Sequence, residues 1–325
     1  MQLGDLTLPS NVFYSPLAGC SDYPYRKMAS QFKLGLMFCE MVKMDALIRH
    51  EPSTYHLLDF DSSMRPIGAQ LCGSKKELAG PTARIIEELG FDVVDLNCGC
   101  PVDKVTKDGS GSGLLKNPEL IGEILCNMVA AVNIPVTVKI RAGWDDNTII
   151  ATEITKIAEE AGAKAISIHG RTRQQKYTGK ANWDHIKAAK EAANEIKVIG
   201  NGDVFSPEDG INLFKHTGCD GILISRGTFG NPWIGENVWR LDQGLPMLEV
   251  DVKEALLMQL DYIAHYQTDR KALLDMRRVG CWFLRNGTGT KKLRESLNRA
   301  KTLSEVKTLI NGYDWTQTHF NPSEH

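Results

Sequence analysis

Eight short apolar runs, each followed by a stretch with helical spacing, recur through the first 230 or so residues of this 325-residue chain. They lie at 12–17, 36–42, 66–71, 93–96, 136–140, 165–168, 198–199 and 221–224. The runs are rich in β-branched residues and nearly continuous in their apolarity. That is the pattern of parallel strands buried on both faces. The segments between them read as helices. Residues 81–89 place Ile85, Ile86 and Leu89 on one face, 118–132 open on Pro118, and 148–161 end at Gly162. Residues 183–193 follow, then 206–216, where Ser206-Pro207-Glu208-Asp209 supplies an N-cap, a first-turn proline and acids at the positive helix end. Eight alternations of strand and helix predict an α/β fold, a (β/α)8 TIM barrel. A doubly wound sheet is the alternative, but it usually has fewer strands, and no G-x-G-x-x-G follows the first run.

Beyond Pro232 the strand-like runs stop. From Val252 the spacing is helical: Leu256, Leu260 and Ile263, then Leu273, Met276, Val279 and Phe283, then Leu293, Leu297, Val306 and Ile310. The chain is therefore expected to divide into a barrel over 1–240, a linker over about 241–250 and a small all-helical domain over 250–325. Residues 270–307 hold eleven Lys or Arg against Asp275, Glu295 and Glu305, although the whole chain has a net charge of −2. A basic segment on an acidic body points to a polyanion partner. No apolar run approaches the ~18–20 residues that span a bilayer, and residues 1–11 lack the pattern of a secretory signal. The eight cysteines are scattered, as suits reduced thiols in a cytoplasm. Cys98-x-Cys100 has no nearby His or Cys, so no metal site is expected.

Active sites in such barrels lie where the strands end. The ends here read Pro16-Leu17-Ala18-Gly19, Glu40, Gln70, Asn97 with Cys100, Lys139 with Arg141, His169 with Arg171, Asn201-Gly202-Asp203 and Ser225-Arg226-Gly227. The segments after strands seven and eight hold the usual phosphate position of this architecture, and Arg226 adds a charge-assisted bond. Lys139 and His169 would face a ring; a fixed cation beside a ring that becomes anionic on reduction is how a protein tunes a flavin. FMN, with one phosphate and no adenine, suits this set better than a dinucleotide. Cys100 follows a strand closed by Asn97-Cys98-Gly99 and precedes a proline, which holds a thiol at the edge of a fixed platform. A buried structural cysteine is the other reading of that residue.

The stretches SPLAG at 15–19, QLCG at 70–73, DLNCGCP at 95–101, TVKIRAGWDD at 137–146, HGRTR at 169–173, VIGNGDVFSPED at 198–209 and GCDGILISRGTFGNPW at 218–233 together resemble the bacterial tRNA-dihydrouridine synthases. The resemblance implies an FMN barrel with a helical tRNA-binding domain. It implies flavin contacts at Pro16, Leu17, Ala18, Gln70, Lys139, His169, Asn201, Gly202, Asp203, Ser225 and Arg226, and a proton donor at Cys100. It also implies substrate contacts at Asn97, Arg141 and Arg171, with Arg277, Arg278 and Arg285 in the basic helical segment. The reaction implied is reduction of the uracil 5,6 double bond in tRNA by FMN, recharged by NADPH or NADH, in a monomeric cytoplasmic enzyme. Three positions depart from the family pattern: Cys98 where Met is common, Ser225 where Gly is common, and Val279 in a run that often ends in His. A barrel acting on a free pyrimidine, as dihydroorotate dehydrogenases do, and a non-catalytic tRNA-binding protein are the competing readings.

Overall fold

The computed structural model describes residues 1–320; the last five residues of the expected helical domain lie outside it. Eight parallel strands form the barrel: β1 (Val12–Tyr14), β2 (Leu36–Phe38), β3 (Ile67–Cys72), β4 (Val93–Cys98), β5 (Val136–Arg141), β6 (Ala165–His169), β7 (Lys197–Asn201) and β8 (Gly221–Ile224). Each pairs with the next, and β8 pairs with β1, so the sheet closes on itself. A short strand, Val42–Lys43, adds to β3. All eight expected strands are present. The first two are shorter than the apolar runs: past Ser15 and Cys39, whose N–H groups still donate to Ile224 and Gly68 of the neighbouring strands, the chain turns into loops.

Alternation along the strands sorts the side chains. In β4 and β5, Val94, Leu96, Cys98, Val136, Val138 and Ile140 join the core between barrel and helices. Their neighbours Val93, Asp95, Asn97, Thr137, Lys139 and Arg141 have the opposite parity and point into the barrel. Val93, Phe13, Phe38, Ala165, Ile199 and Leu223 form an apolar plug at the N-terminal end, capped by Leu3 and Leu8 of an N-terminal hairpin. The inward residues nearer the strand C-termini are polar.

The intervening helices follow the sequence closely. Ser206 and Asp209 make a capping box for Pro207–Thr217, and Gly218 ends that helix in the left-handed region. One start is displaced. The helix expected from residue 81 begins at Lys76 and carries Pro81 in its interior. Ala79, Gly80, Thr82 and Ala83 are buried there, and that packing outweighs the one backbone bond the proline forfeits. The stretch expected to link the two regions, about 241–250, begins inside the helix Ile234–Asp242.

The helices Val252–Tyr266, Asp269–Phe283, Lys291–Arg299 and Leu303–Gly312 gather around a second apolar cluster that includes Leu256, Met276, Leu297 and Ile310. The cluster also takes in Met28, from the helix after β1. Aromatic pairs join the two regions: Tyr23 stacks on Tyr266 at 4.4 Å, and Phe229, just past β8, stacks on Trp282 at 4.1 Å. The helical region is thus seated against the barrel rim. No helix among the described residues is long and apolar enough to cross a membrane.

Candidate active site

The polar strand ends converge. Pro16, Leu17 and Ala18 after β1, Gln70 of β3, Asn97 and Cys100, Lys139 and Arg141 of β5, His169 of β6, Asn201-Gly202-Asp203 and Ser225-Arg226 all line one cavity of about 460 Å³. The turn at 16–19 is held by Glu40, whose carboxylate accepts the Gly19 N–H.

Cys100 is partly exposed to this cavity, and its backbone is clamped. Its N–H donates to Asn97 Oδ1 at 2.9 Å, while its carbonyl accepts from Ser112 N at 3.1 Å and Ser112 Oγ at 2.9 Å. Gly111 sits at φ +58°, where a Cβ would lie 2.9 Å from the Cys100 carbonyl oxygen, so glycine lets the following loop fold back onto the thiol segment. Cys98 faces the other way. It is fully buried in the core outside the barrel, and burial pushes its thiol well above the usual range. The two thiols, two residues apart, belong to different compartments.

The Lys139 ammonium has no hydrogen bond or ion pair among the described residues, although it stands at the cavity wall. Desolvation first, then the nearby Arg141, pulls its pKa down to about 8; Asp95 and Cys100 pull the other way. His169 is buried, and desolvation together with Lys139, Arg141, Arg171 and Arg226 keeps its imidazole neutral.

The ends of β7 and β8 form a cradle. Asn201 Nδ2 donates to the Leu223 carbonyl and, at 3.1 Å, to Ser225 Oγ, locking the two ends together. Gly202 turns the chain at φ +123°, where a Cβ would meet Ala181 at 2.7 Å and the His169 ring at 2.9 Å. The amide hydrogens of Gly202, Asp203, Arg226 and Gly227 find no acceptor among the described residues. Asp203 would repel an anion there, but Arg171 neutralises it with bonds of 2.6 and 2.9 Å. Arg226 lies 3.9 Å from the same carboxylate and stacks over Tyr177 at 4.6 Å. Free N–H groups, a lightly paired guanidinium and an unpaired ammonium in one cavity are a donor set that suits a phosphate and an anionic ring.

The arginines expected at the substrate are distributed differently. Arg141 is buried and binds the carbonyls of Gly99, Thr172 and Lys176, each at 2.9 Å. Arg171 lines a neighbouring cavity of about 520 Å³, which it shares with Arg226, Trp282 and Arg285. Arg278 reaches the Gly19 carbonyl and Asp275, and stacks over Trp282. Arg277 binds the Ala300 carbonyl at 2.9 Å and lines neither cavity.

A model of the dihydrouridine synthase (Dus) family matches residues 13–318. The chain belongs to the dihydrouridine synthase family. It is 35% identical over 303 residues to tRNA-dihydrouridine synthase B of Pseudomonas syringae pv. tomato, covering 92% of this chain and 90% of that protein. It is 36% identical over 315 residues to a probable tRNA-dihydrouridine synthase 1 of Synechocystis, covering 95% and 88%. Among solved structures, morphinone reductase in complex with tetrahydroNAD has the same barrel architecture, with a TM-score of 0.54 at 13% identity, covering 77% of this chain and 91% of that one. A 2-naphthoyl-CoA reductase gives a TM-score of 0.56 at 12% identity; this chain spans about half of its length.

Two residues of this dihydrouridine synthase family member, one interior and one exposed, escaped the sequence reading. Asp95 is fully buried beneath the cavity, accepting from Thr137 Oγ1 at 2.6 Å and Gln70 Nε2 at 2.7 Å. The signal was there: a carboxylate inside the apolar run 93–96, on the same parity as Asn97. Tyr177, which stacks on Arg226, comes from a loop and left no periodic trace.

Proposed function

We propose that the protein reduces the 5,6 double bond of uridines in tRNA, with FMN in the barrel cavity and NADPH, or NADH, as reductant. The observation that carries the reading is the shared cavity: Cys100, Lys139 and the free amides after β7 and β8 all line it. FMN, when bound and reduced, supplies the hydride that adds to uracil C6.

This chain's residues do the rest. The amides of Gly202, Asp203, Arg226 and Gly227, with the Arg226 guanidinium, bind the phosphate. Pro16, Leu17, Ala18, Gln70, Asn201 and Ser225 shape the slot for the ring. Lys139 keeps a positive charge beside it, and neutral His169 contributes a hydrogen bond without a second charge. Cys100 gives its proton to C5 as negative charge builds on the uracil, the role of a general acid. Asn97 meets the uracil edge; its second amide hydrogen rests on Met41 Sδ at 3.6 Å, a weak acceptor that a uracil oxygen would displace.

A base inside folded RNA has to leave its stack to reach this cavity, at about a few kcal/mol. Contacts between the basic helical region and the RNA backbone offset that cost. Arg285, exposed at the second cavity, is the best placed of the three helical-region arginines. Arg141 and Arg171 brace the loops that frame the site. In this scheme residues 1–240 are the catalytic domain and 250–325 the RNA-binding domain of a cytoplasmic enzyme that works as a single copy.

The test is an absorption spectrum of the purified protein together with nucleoside mass spectrometry of tRNA, mapped by position, with and without it. A flavin spectrum and new dihydrouridine are expected. A colourless protein, or tRNA left unchanged by flavin-loaded protein and NADPH, overturns the proposal. Turnover of free uracil or dihydroorotate without tRNA would transfer the chemistry to a small pyrimidine.

A further inference from the structure

Beneath the cavity lies a chain of side-chain hydrogen bonds with a carboxylate at one end and the thiol segment at the other. Thr137 Oγ1 donates to Asp95 Oδ1 at 2.6 Å, and Gln70 Nε2 donates to Asp95 Oδ2 at 2.7 Å. Gln70 Oε1 accepts from Asn97 Nδ2 at 2.7 Å. Asn97 Oδ1 accepts from the N–H of Cys100 at 2.9 Å and of Gly99 at 3.2 Å. Asp95, Gln70, Asn97 and Thr137 are all buried, so unmade bonds in the chain are not replaced by bulk water.

The direction of this chain is over-determined. An amide side chain can point either way round, and its partners decide which. At the lower end an ionised Asp95 can only accept, so Gln70 must turn its NH2 group down and its carbonyl up. At the upper end two backbone N–H groups can only donate, so Asn97 must turn its carbonyl toward them. The middle bond satisfies both demands in one orientation alone.

We propose that Asp95 is a positioning residue: its acceptor-only carboxylate sets the direction of the Gln70–Asn97 relay and thereby holds Cys100 at the cavity. It touches neither the cavity nor the thiol. Its effect passes through two amides; the second N–H of Gln70 has no acceptor among the described residues, and that of Asn97 rests on the Met41 sulfur at 3.6 Å. Asp95 also attracts Lys139, so one buried charge serves both walls of the site. The functional consequence rests on the reading of Cys100 as proton donor; the relay itself does not.

The test is a swap. In Asp95→Asn the new NH2 group either confronts the Gln70 NH2 or turns to Thr137 and leaves that buried hydroxyl's hydrogen without an acceptor. In Asn97→Asp the new carboxylate draws the Gln70 NH2 upward and sets the Gln70 carbonyl against Asp95. The double variant D95N/N97D removes both conflicts. The amide at position 95 then donates to Gln70, and Gln70 donates to the carboxylate at position 97, which still accepts from Gly99 and Cys100. Hydrogen exchange of the Gly99 and Cys100 amides, read by mass spectrometry, reports the upper bond whether or not turnover depends on the thiol. Asp95→Asn is expected to speed that exchange about tenfold, the worth of one hydrogen bond. Asn97→Asp keeps an acceptor for both amides and places its conflict at the lower end, so it is expected to lower thermal stability with exchange little changed. The double variant is expected to return exchange toward wild type and to recover the stability that Asn97→Asp loses, a coupling that simple loss of packing cannot produce. Gln70→Leu, which cuts the relay in the middle, is expected to match Asp95→Asn, and it carries the test if Asp95→Asn does not fold. Wild-type exchange in Asp95→Asn or Gln70→Leu, or a double variant that exchanges as fast as Asp95→Asn, overturns the relay. Slow exchange restored in the double variant without any link between exchange and uridine reduction would keep the relay and refute the role of Cys100.

Discussion

The barrel rim and the helical region both carry cationic side chains, and they hold them differently. At the rim Lys139 stands in the cavity wall without an ion pair among the described residues, and Arg226 shares its only carboxylate, 3.9 Å away, with Arg171. In the helical region Arg277 is tied to the Ala300 carbonyl, Arg278 to Gly19 and Asp275, and Lys307 lies 3.3 Å from Asp261. A strand fixes where its side chains go, because alternation allows two directions and the closed barrel makes one of them the cavity. On a helix, direction depends on which neighbour packs against it. A count of basic residues therefore overstates how many cations a helical region offers to a polyanion, while alternation aims Lys139 at the cavity; at strand ends too, Arg141 and Arg171 are held by carbonyls and by Asp203.

The sharpest way to break this contrast is at the thiol. Cys100→Ala is expected to keep flavin absorbance and lose roughly 100- to 10,000-fold in turnover, the range for a general acid. No single arginine substitution in the helical region should come close. A Cys100→Ala enzyme of near wild-type activity would remove the thiol from the mechanism and leave the rim with a binding role only.

The second effect is in pH. Lys139 has its pKa pulled down to about 8, chiefly by desolvation, with Arg141 on one side and Asp95 and Cys100 on the other. Its ammonium is present below that value and lost above it. Flavin-loaded turnover is expected to fall about tenfold per pH unit on the alkaline limb, and that limb should move to higher pH if the bound ring is anionic, since an anion favours the charged lysine. Stability moves the other way. A lysine with a lowered folded pKa disfavours folding while charged, so this group's penalty is relieved as pH rises from about 8 toward its unfolded value near 10.5. A pH profile flat to pH 10, measured alongside thermal unfolding over the same range, would show that the lysine charge does no catalytic work.

The sequence made the barrel readable because each strand announces itself as a bounded apolar run and each helix by its period. Cavity-lining residues followed wherever they sat at strand ends: Gln70, Asn97, Lys139, His169 and Asn201 needed only parity and closure. Asp95 was harder, since a carboxylate within a strand reads equally as an edge or an interior residue until the sheet is known to close. Tyr177 and the partners of Arg141 and Arg171 lie in loops, where no period ties sequence to direction. The helical arginines were hardest. Their number was plain, but whether each faces RNA, a carbonyl or a ring is decided by tertiary packing.

That last point is testable within one segment. Arg285→Ala is expected to weaken tRNA binding and reduce the slope of log affinity against log salt by about one, since its exposed guanidinium lines the second cavity. Arg277→Ala is expected to leave affinity and slope nearly unchanged and to lower stability by about 1 kcal/mol through the lost bond to Ala300. Equal losses of affinity in the two variants would mean that net charge, not direction, governs the helical region.

The smallest effect separates the two thiols of one motif. Cys98 and Cys100 share a strand end, but parity sends Cys98 into the core between barrel and helices, fully buried, and Cys100 to the cavity. Oxidation that joins them would require the end of β4 to leave its ladder with β5, where Cys98 is paired with Ile140. Cys98→Ala is therefore expected to cost only about 1 kcal/mol of stability, as a modest core truncation does, with turnover and the resistance of Cys100 to peroxide both unchanged. If Cys98→Ala instead protected the enzyme from oxidative inactivation, the strand end would have to open in solution, and alternation would no longer be enough to assign a side chain to the cavity or the core.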